Sequence, residues 1–385
     1  MANVSSSNGI EKYPKLRFKG FSNPWTEIEI GKFFKVTRGY VLPATEVKNL
    51  ADEEYAYPVY SSQTKDNGLM GYYNDYLYEN AITWTTDGAN AGTVHFRSGK
   101  FYCTNVCGVL LNDDGNANRC IAEILGSVSK KYVSYVGNPK LMNNVMAEIR
   151  ISIPNLAEQQ KIDAFLSVID LRVQKQQELI EHLKKYKRGL LQAVFSREVQ
   201  FENSSGWERR LFSELASLSK GKYSPKQNEV LPCIELEHLE QQTGQIIGCT
   251  NSNEQNSVKS VFHKGDVLFG KLRPYLRKFA LPEYNGVCSS EIWVFYPKPD
   301  IDSTFLFYLI QSESFIAAAN ISSGTKMPRA EWSKVSNETF FVPGLSEQKR
   351  IANLFTTIDK RIVNASASVN KLQCLKQGLL QQLFI

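Results

Sequence analysis

The sequence predicts an α+β chain: two mixed α/β blocks joined by two long helices that pair as an antiparallel coiled coil, with pseudo-two-fold symmetry. Three observations predict it. Residues 153–196 recur at 342–385, shifted by 189 positions without a gap and identical at 15 of 44 places. Each copy carries apolar residues at alternating steps of four and three. Each copy closes a block of quite different sequence, so the chain reads as block, helix, block, helix.

The first helix carries its stripe at Ile162, Leu166, Ile169, Val173, Gln176, Ile180, Leu183, Lys187, Leu190 and Val194. The second carries Ile351, Phe355, Ile358, Ile362, Ala365, Val369, Leu372, Lys376, Leu379 and Leu383. A stripe this narrow is a coiled-coil seam rather than one face of a globular core. About 40 residues at 1.5 Å each give a helix ~60 Å long. Asn155 and Gly344, each three residues before a glutamate, are the expected caps. Gln176, Lys187 and Lys376 interrupt the seam, where polar residues fix register or snorkel to water. Gly189 and Gly378 mark a kink or the close approach of a partner's backbone.

The expected organisation is a flexible lead over 1–13, a first block over 14–153, a helix over 154–197, a second block over 198–341 and a helix over 342–385. The block openings match at an offset of 182: Pro24-Trp25 through Val36-Thr37-Arg38-Gly39 aligns with Gly206-Trp207 through Leu218-Ser219-Lys220-Gly221. Both blocks end in an amphipathic helical stretch (119–137 and 303–320), a Lys-(x)-Met step and an apolar strand. Between these ends lie strand-like runs at 81–85, 93–96 and 101–111, then at 260–269, 278–281 and 287–296. Asp87-Gly88 and Asn285-Gly286 are the predicted turns.

Composition narrows the rest. The 385 residues suit two or three domains, and the net charge of +6 permits a polyanionic partner without demanding one. The seven cysteines and four histidines show no metal-ligand spacing. An odd cysteine count with no apolar leader points to reduced thiols in the cytoplasm. No run is long and apolar enough for a membrane span.

At the level of motifs the chain resembles the specificity subunit of type I restriction-modification systems, from about residue 14 to the end. The residues that carry the resemblance are Pro154, Leu156, Glu158 and Gln159 with Pro343, Leu345, Glu347 and Gln348. Ile169-Asp170 with Arg172, Ile358-Asp359 with Arg361, and the K-x-G-L-L-Q helix ends add to it. Within the blocks it rests on Pro58–Ser62, Asn67–Tyr72 and Thr86-Asp87-Gly88, and on 265–276, 286–291 and 326–329. The resemblance implies two target-recognition domains, each reading half of a bipartite site in double-stranded DNA. It implies that the helices set the spacing and bind two methyltransferase subunits, which would carry S-adenosylmethionine. A motor-nuclease restriction subunit would bring ATP and Mg. The specificity subunit itself is then not an enzyme and holds no cofactor.

Local motifs for catalysis fall short. Gly265, Gly270 and Lys271 imitate a P-loop, but Leu272 stands where a Ser or Thr must hold Mg²⁺, and Pro274 follows. Asp300 and Glu331 lack the nuclease lysine, since position 333 is Ser333. No methyl-donor loop is visible.

Phosphates are met by cations and base edges by polar side chains. On that ground the candidates in block one are Ser61, Ser62, Gln63, Lys65, Asn67, Thr86, Asn90, Lys140 and Asn143. In block two they are Lys220, Lys222, Lys271, Arg273, Tyr275, Arg277, Lys326 and Arg329. The tyrosines at 72–78 are read as packing rather than a base-stacking platform. Leu190, Leu191, Val194, Phe195, Leu379, Leu380, Leu383 and Phe384 exceed what a two-helix seam covers. They pack on a methyltransferase subunit or on the chain's own blocks. The competing functional class is a coiled-coil adaptor that carries two modules for protein or polysaccharide rather than DNA.

Overall fold

A computed structural model of the chain describes residues 13–62, 65–201, 206–225, 230–321 and 327–384. Two compact units emerge: the first joins two separate stretches, 1–177 and 367–385, and the second is the continuous stretch 178–366. Each unit therefore contains one block, part of the helix that follows it, and part of the other helix.

In the first unit the chain forms β1 (Thr26–Glu29), α1 (Ile30–Phe33), β2 (Lys35–Arg38), β3 (Tyr57–Tyr60), β4 (Leu69–Tyr73), β5 (Tyr78–Thr85), β6 (Val94–Cys103) and β7 (Cys107–Leu111). Then come α2 (Arg119–Ser129), α3 (Asn143–Glu148), β8 (Arg150–Ile153) and the long helix α4 (Leu156–Phe195). One sheet runs β2-β7-β5-β6-β3-β4, and β1 pairs with β8. Alternation along the strands divides the sheet faces. Ile82, Trp84 and Leu110 join Ile121 and Leu125 of α2 in a core, with Val94 and Phe96 against it. The opposite face holds Thr83, Thr85, His95, Arg97 and Cys107. Trp84 stands directly across from Gly108, where any Cβ would meet its ring at 2.1 Å.

The second unit contains β9 (Glu208–Leu211), α5 (Phe212–Leu215), β10 (Ala216–Leu218), β11 (Lys222–Tyr223), β12 (Pro232–Ile234), β13 (Thr250–Asn251), β14 (Lys259–Phe262), β15 (Val267–Gly270), β16 (Phe279–Ala280), β17 (Gly286–Cys288) and β18 (Ile292–Pro297). It continues with α6 (Ser303–Leu309), α7 (Glu313–Asn320), α8 (Trp332–Val335), β19 (Thr339–Val342) and α9 (Leu345–Leu383). The order β10-β18-β15-β16 repeats β2-β7-β5-β6, and β19-β9 repeats β8-β1. A separate sheet, β11-β14-β17-β12-β13, has no counterpart among the described residues of the first unit.

Several local expectations change. The runs 260–269 and 287–296 are each two strands assigned to different sheets, broken at 263–266 and 289–291. The stretch 303–320 is two helices, and 119–137 is helical only to Tyr132. Gly286 is not a turn residue. It begins β17, opposite Phe262, and a Cβ there would lie 2.6 Å from the Pro232 carbonyl oxygen. Glycine is needed at 286 for space, not for a left-handed turn.

The seam of α4 and α9 follows the sequence pattern. Ile162, Leu166, Ile169, Ile180, Leu183, Lys187 and Val194 are buried, as are Ile351, Phe355, Ile358, Ala365, Val369 and Leu383. The two helices pair antiparallel as a coiled coil. In the first unit Ile162 and Leu166 lie in one core with Leu380 and Phe384, while Asp170 pairs with Lys376. In the second, Leu191 and Val194 lie with Ile351 and Phe355, while Lys187 pairs with Asp359. Both helices run through Gly189 and Gly378, where a Cβ would meet nothing within 4 Å.

The repeated helix starts have a structural explanation. Gln159 donates to the carbonyl of Pro154 and to Asn116, and accepts from Asn118 ahead of α2. Gln348 donates to Pro343 and Asp300 carbonyls and accepts from the Asp302 amide ahead of α6. Glu158 takes a bidentate pair from Arg17, and Glu347 accepts from the Trp207 indole. The Pro-x-Leu-x-Glu-Gln motif thus clamps each long helix to the helix that covers its block's sheet.

Candidate nucleic-acid interface

The equivalent strands β5 and β15 end at equivalent crossings. After β5, the Gly88 amide donates to the Pro139 carbonyl, and Leu141 donates back to Thr86. After β15, the Arg273 amide donates to the Pro328 carbonyl, and Ala330 donates back to Lys271. The frame is shared, but its occupants differ. Thr86, Gly88 and Lys140 in one unit stand where Lys271, Arg273 and Arg329 stand in the other. Backbone hydrogen bonds hold this frame, so its side chains can vary without disturbing it.

In the second unit three separate motifs of the sequence converge here. Lys271 donates through its amide to the Glu291 carbonyl, and the Arg329 guanidinium donates to the Glu291 carboxylate at 3.0 Å. Arg273 and Arg277 flank the single turn 274–276, both left-handed at φ 52°. Two arginines in that region store backbone strain, which concentrates at functional loops. The left-handed Arg273 also excludes a phosphate-capping helix after Gly270-Lys271. Arg273, Tyr275, Lys220 and Lys222 are exposed, and Lys271 is half-buried. The side chains of Arg273, Lys271, Lys220 and Tyr275 have no hydrogen-bond partner among the described residues. Arg277 is instead committed to Glu313, and Lys222 reaches Ser260 at 3.4 Å. Lys326 lies outside the described residues.

In the first unit the candidates divide. Ser61, Asn67 and Asn90 line one pocket of about 200 Å³ on the open face of the sheet. Ser62 accepts through its carbonyl from Asn90. Lys140 is exposed and lies 3.8 Å from Asp87. One candidate is corrected. Thr86 is buried, with its hydroxyl donating to Asp87, and leaving that partner would strand a buried polar group. Asn143 is half-buried and donates one amide hydrogen to the Thr37 carbonyl, keeping the second. Gln63 and the Lys65 side chain lie outside the described residues. The tyrosines pack as expected: Tyr73 against Tyr55 and Tyr102, Tyr76 on Tyr57, Tyr78 on Phe101.

Arg97 was missed from sequence. It is buried on β6 and lines the same pocket, together with His95. Burial first, then Arg97, pulls the His95 pKa down to about 4. The signal was present as the alternation His95-x-Arg97, but a charged residue inside a strand reads equally well as solvent-facing.

The helix-end residues are also corrected, toward the chain's own blocks. Leu191 and Val194 are buried in the second unit's core, with Leu190 and Phe195 packed on it. Leu380 and Phe384 pack on the first unit's core, Leu383 is buried, and Leu379 is half-buried. The exposed apolar side chains on the helices are others, among them Val168, Leu171, Leu179, Tyr186, Val363 and Leu375.

The seam polars are tuned unequally. Burial pushes the Lys187 pKa below that of ordinary lysine, and its one carboxylate, Asp359, only partly offsets this. Burial also opposes the charge on Lys376, but Glu123 and Asp170 together outweigh it and hold its pKa above the ordinary value. Among the described residues no helix is long and apolar enough to cross a membrane, and no group of three or more His, Cys, Asp or Glu could hold a metal ion.

The chain is similar to known proteins over most of its length. A putative type I specificity subunit of Mycoplasma pneumoniae is 29% identical over 332 residues, covering 82% of this chain and 84% of that protein. The EcoDI type I restriction enzyme specificity subunit of Escherichia coli is 22% identical over 404 residues, covering 94% and 88%. The crystal structure of a type I restriction-modification S subunit from M. genitalium superposes with a TM-score of 0.63 at 17% identity, covering 97% and 99%, and so supports the fold. The sequence model of the type I restriction modification DNA specificity domain matches twice, at residues 22–185 and 204–372. The chain therefore belongs to the type I restriction-modification specificity family, as a subunit with two DNA-recognition domains in a complex whose enzymatic activities lie in other subunits.

Proposed function

We propose that each domain reads one half of a bipartite site in double-stranded DNA through its own strand-end cluster, and that the paired helices fix the number of unread base pairs between the halves. The observation that carries this is the shared backbone frame with unlike residues at its accessible positions: Gly88 and Lys140 in one domain against Arg273 and Arg329 in the other. One scaffold with two occupant sets suits two readers of different sequence. Half-sites on one side of a duplex lie about one turn apart, ~34 Å, or a multiple of it. A clamped helix pair holds such a distance, whereas a loose linker would not.

Two methyltransferase subunits would dock on the apolar residues the seam leaves exposed, Leu171 and Val363 among them. They would carry S-adenosylmethionine and extrude the target base. A motor-nuclease subunit would bring ATP and Mg, and the assembled complex would act in the cytoplasm. Exchanging residues 14–153 for the corresponding block of another family member tests the reading. Methylated positions should change in one half of the recognised sequence only. A change in both halves would refute independent reading. An adaptor that binds no DNA would show no salt-dependent duplex affinity.

A further inference from the structure

The open face of the β5–β6–β7 sheet holds a charge without a countercharge. Arg97 is only 7% exposed. Its Nε donates to Thr83 Oγ1 at 3.1 Å, and a terminal nitrogen donates to the Asn67 carbonyl at 2.8 Å. The guanidinium carbon lies 3.7 Å from the centre of the Tyr60 ring. All these partners are neutral. The other two buried cations among the described residues, Lys187 and Lys259, each face a carboxylate, Asp359 and Glu235. Among the described residues no Asp or Glu lines the pocket beside Arg97, and none features among the groups that act on its charge. A buried ion without an opposite charge is costly, and an anion bound beside it would offset that cost.

The neighbouring groups fit an anion. Ser61 Oγ accepts from Thr104 Oγ1, so its own hydrogen remains to be donated. Asn90 uses one amide hydrogen on the Ser62 carbonyl and keeps a second. Arg97 holds the carbonyl of Asn67, left-handed at φ 53°, and so fixes one wall of the pocket. The volume of about 200 Å³ admits a tetrahedral oxyanion. A neutral base edge would leave the arginine's charge uncompensated.

We propose that this pocket takes one phosphate group, with Arg97 as its countercharge and Ser61 and Asn90 as neutral donors. That the phosphate belongs to the DNA backbone rests on the proposed function; a free phosphate ion presents the same chemistry. The group contributes affinity and register but no base preference.

The full chain is tested in two arms. Inorganic phosphate is added at constant ionic strength while the ring resonances of the four histidines are followed by NMR. The His95 resonance of the native chain should move saturably and its pKa should rise, and neither should occur in Arg97→Gln. Ser61→Ala, which leaves the arginine in place, should weaken phosphate several-fold with the fold intact. It keeps the test open should Arg97→Gln fail to fold. In the second arm, duplex affinity is measured against salt. Arg97→Gln should lower the slope by about one, equally for all sequences. A native His95 resonance indifferent to phosphate overturns the site, whether or not the chain binds duplex. Phosphate binding with an unchanged slope overturns the DNA-backbone source and assigns the pocket to free phosphate. Altered preference at one base pair in Arg97→Lys overturns the phosphate reading in favour of a base contact. If the native chain binds phosphate but no duplex, the DNA reading fails and the pocket stands.

Discussion

Replacing Asp359 by asparagine should cost far more than replacing the lysine it faces. The Lys187 side chain is 8% exposed and that of Asp359 is 27% exposed, with Nζ 2.8 Å from a carboxylate oxygen. In Asp359→Asn the ammonium stays buried beside the Tyr308 ring with no opposite charge. Breaking a buried pair in this way costs about 3 kcal/mol. In Lys187→Met the aspartate is left, and at its exposure it rehydrates while the methionine fills the seam, so the loss should be under about 1 kcal/mol. The repeat-equivalent change, Asp170→Asn, provides the internal control. Lys376 is 21% exposed and keeps Glu123 at 2.7 Å, so about 1 kcal/mol is expected. For a unit of this size each kcal/mol moves Tm by about 2–4 °C. Asp359→Asn should therefore lower the transition of the second unit by about 6–12 °C in calorimetry of the full chain, and Asp170→Asn that of the first by a few degrees. Equal effects of Asp359→Asn and Lys187→Met, or of the two aspartate changes, would refute the claim that burial and partner number decide the cost.

Other expectations are more local. His95 has its folded pKa lowered to about 4. Between the unfolded value near 6.5 and that value, only the unfolded chain takes up the proton. Stability is therefore full above pH 6.5 and falls by up to about 3 kcal/mol as pH drops to 4. His95→Gln should flatten that fall in denaturant titrations, and an unchanged pH profile would contradict it. Arg273→Ala should weaken duplex binding with a salt slope smaller by about one or with relaxed preference in one half-site only. Full affinity and preference would remove Arg273 from the interface. Gly108→Ala should destabilise the first unit by about 2 kcal/mol or more, because its Cβ would fall 2.1 Å from the Trp84 ring. A Tm within a degree of the native chain would show that the indole gives way.

Much of the site was legible because repetition amplified weak signals. The matched openings and ends located two equivalent frames, and the described residues around the Lys-(x)-Met steps, 139–141 and 328–330, fell beside the strand ends that carry Thr86 and Lys271. Thr86 and Arg277 could not be judged in the same way. Whether a polar side chain is free depends on Asp87 and Glu313, which no local pattern pairs with them.

The sequence by itself determined the two long helices, their seam and the division into two readers, since a 3.5-residue periodicity and an ungapped repeat are one-dimensional properties. Only the tertiary structure decided that the helix ends finish the chain's own cores, that Gly286 answers to Phe262 and Pro232, and that Arg97 is buried without a carboxylate. Those outcomes depend on which residues from distant segments share a volume, and packing fixes that after the local pattern has already been satisfied.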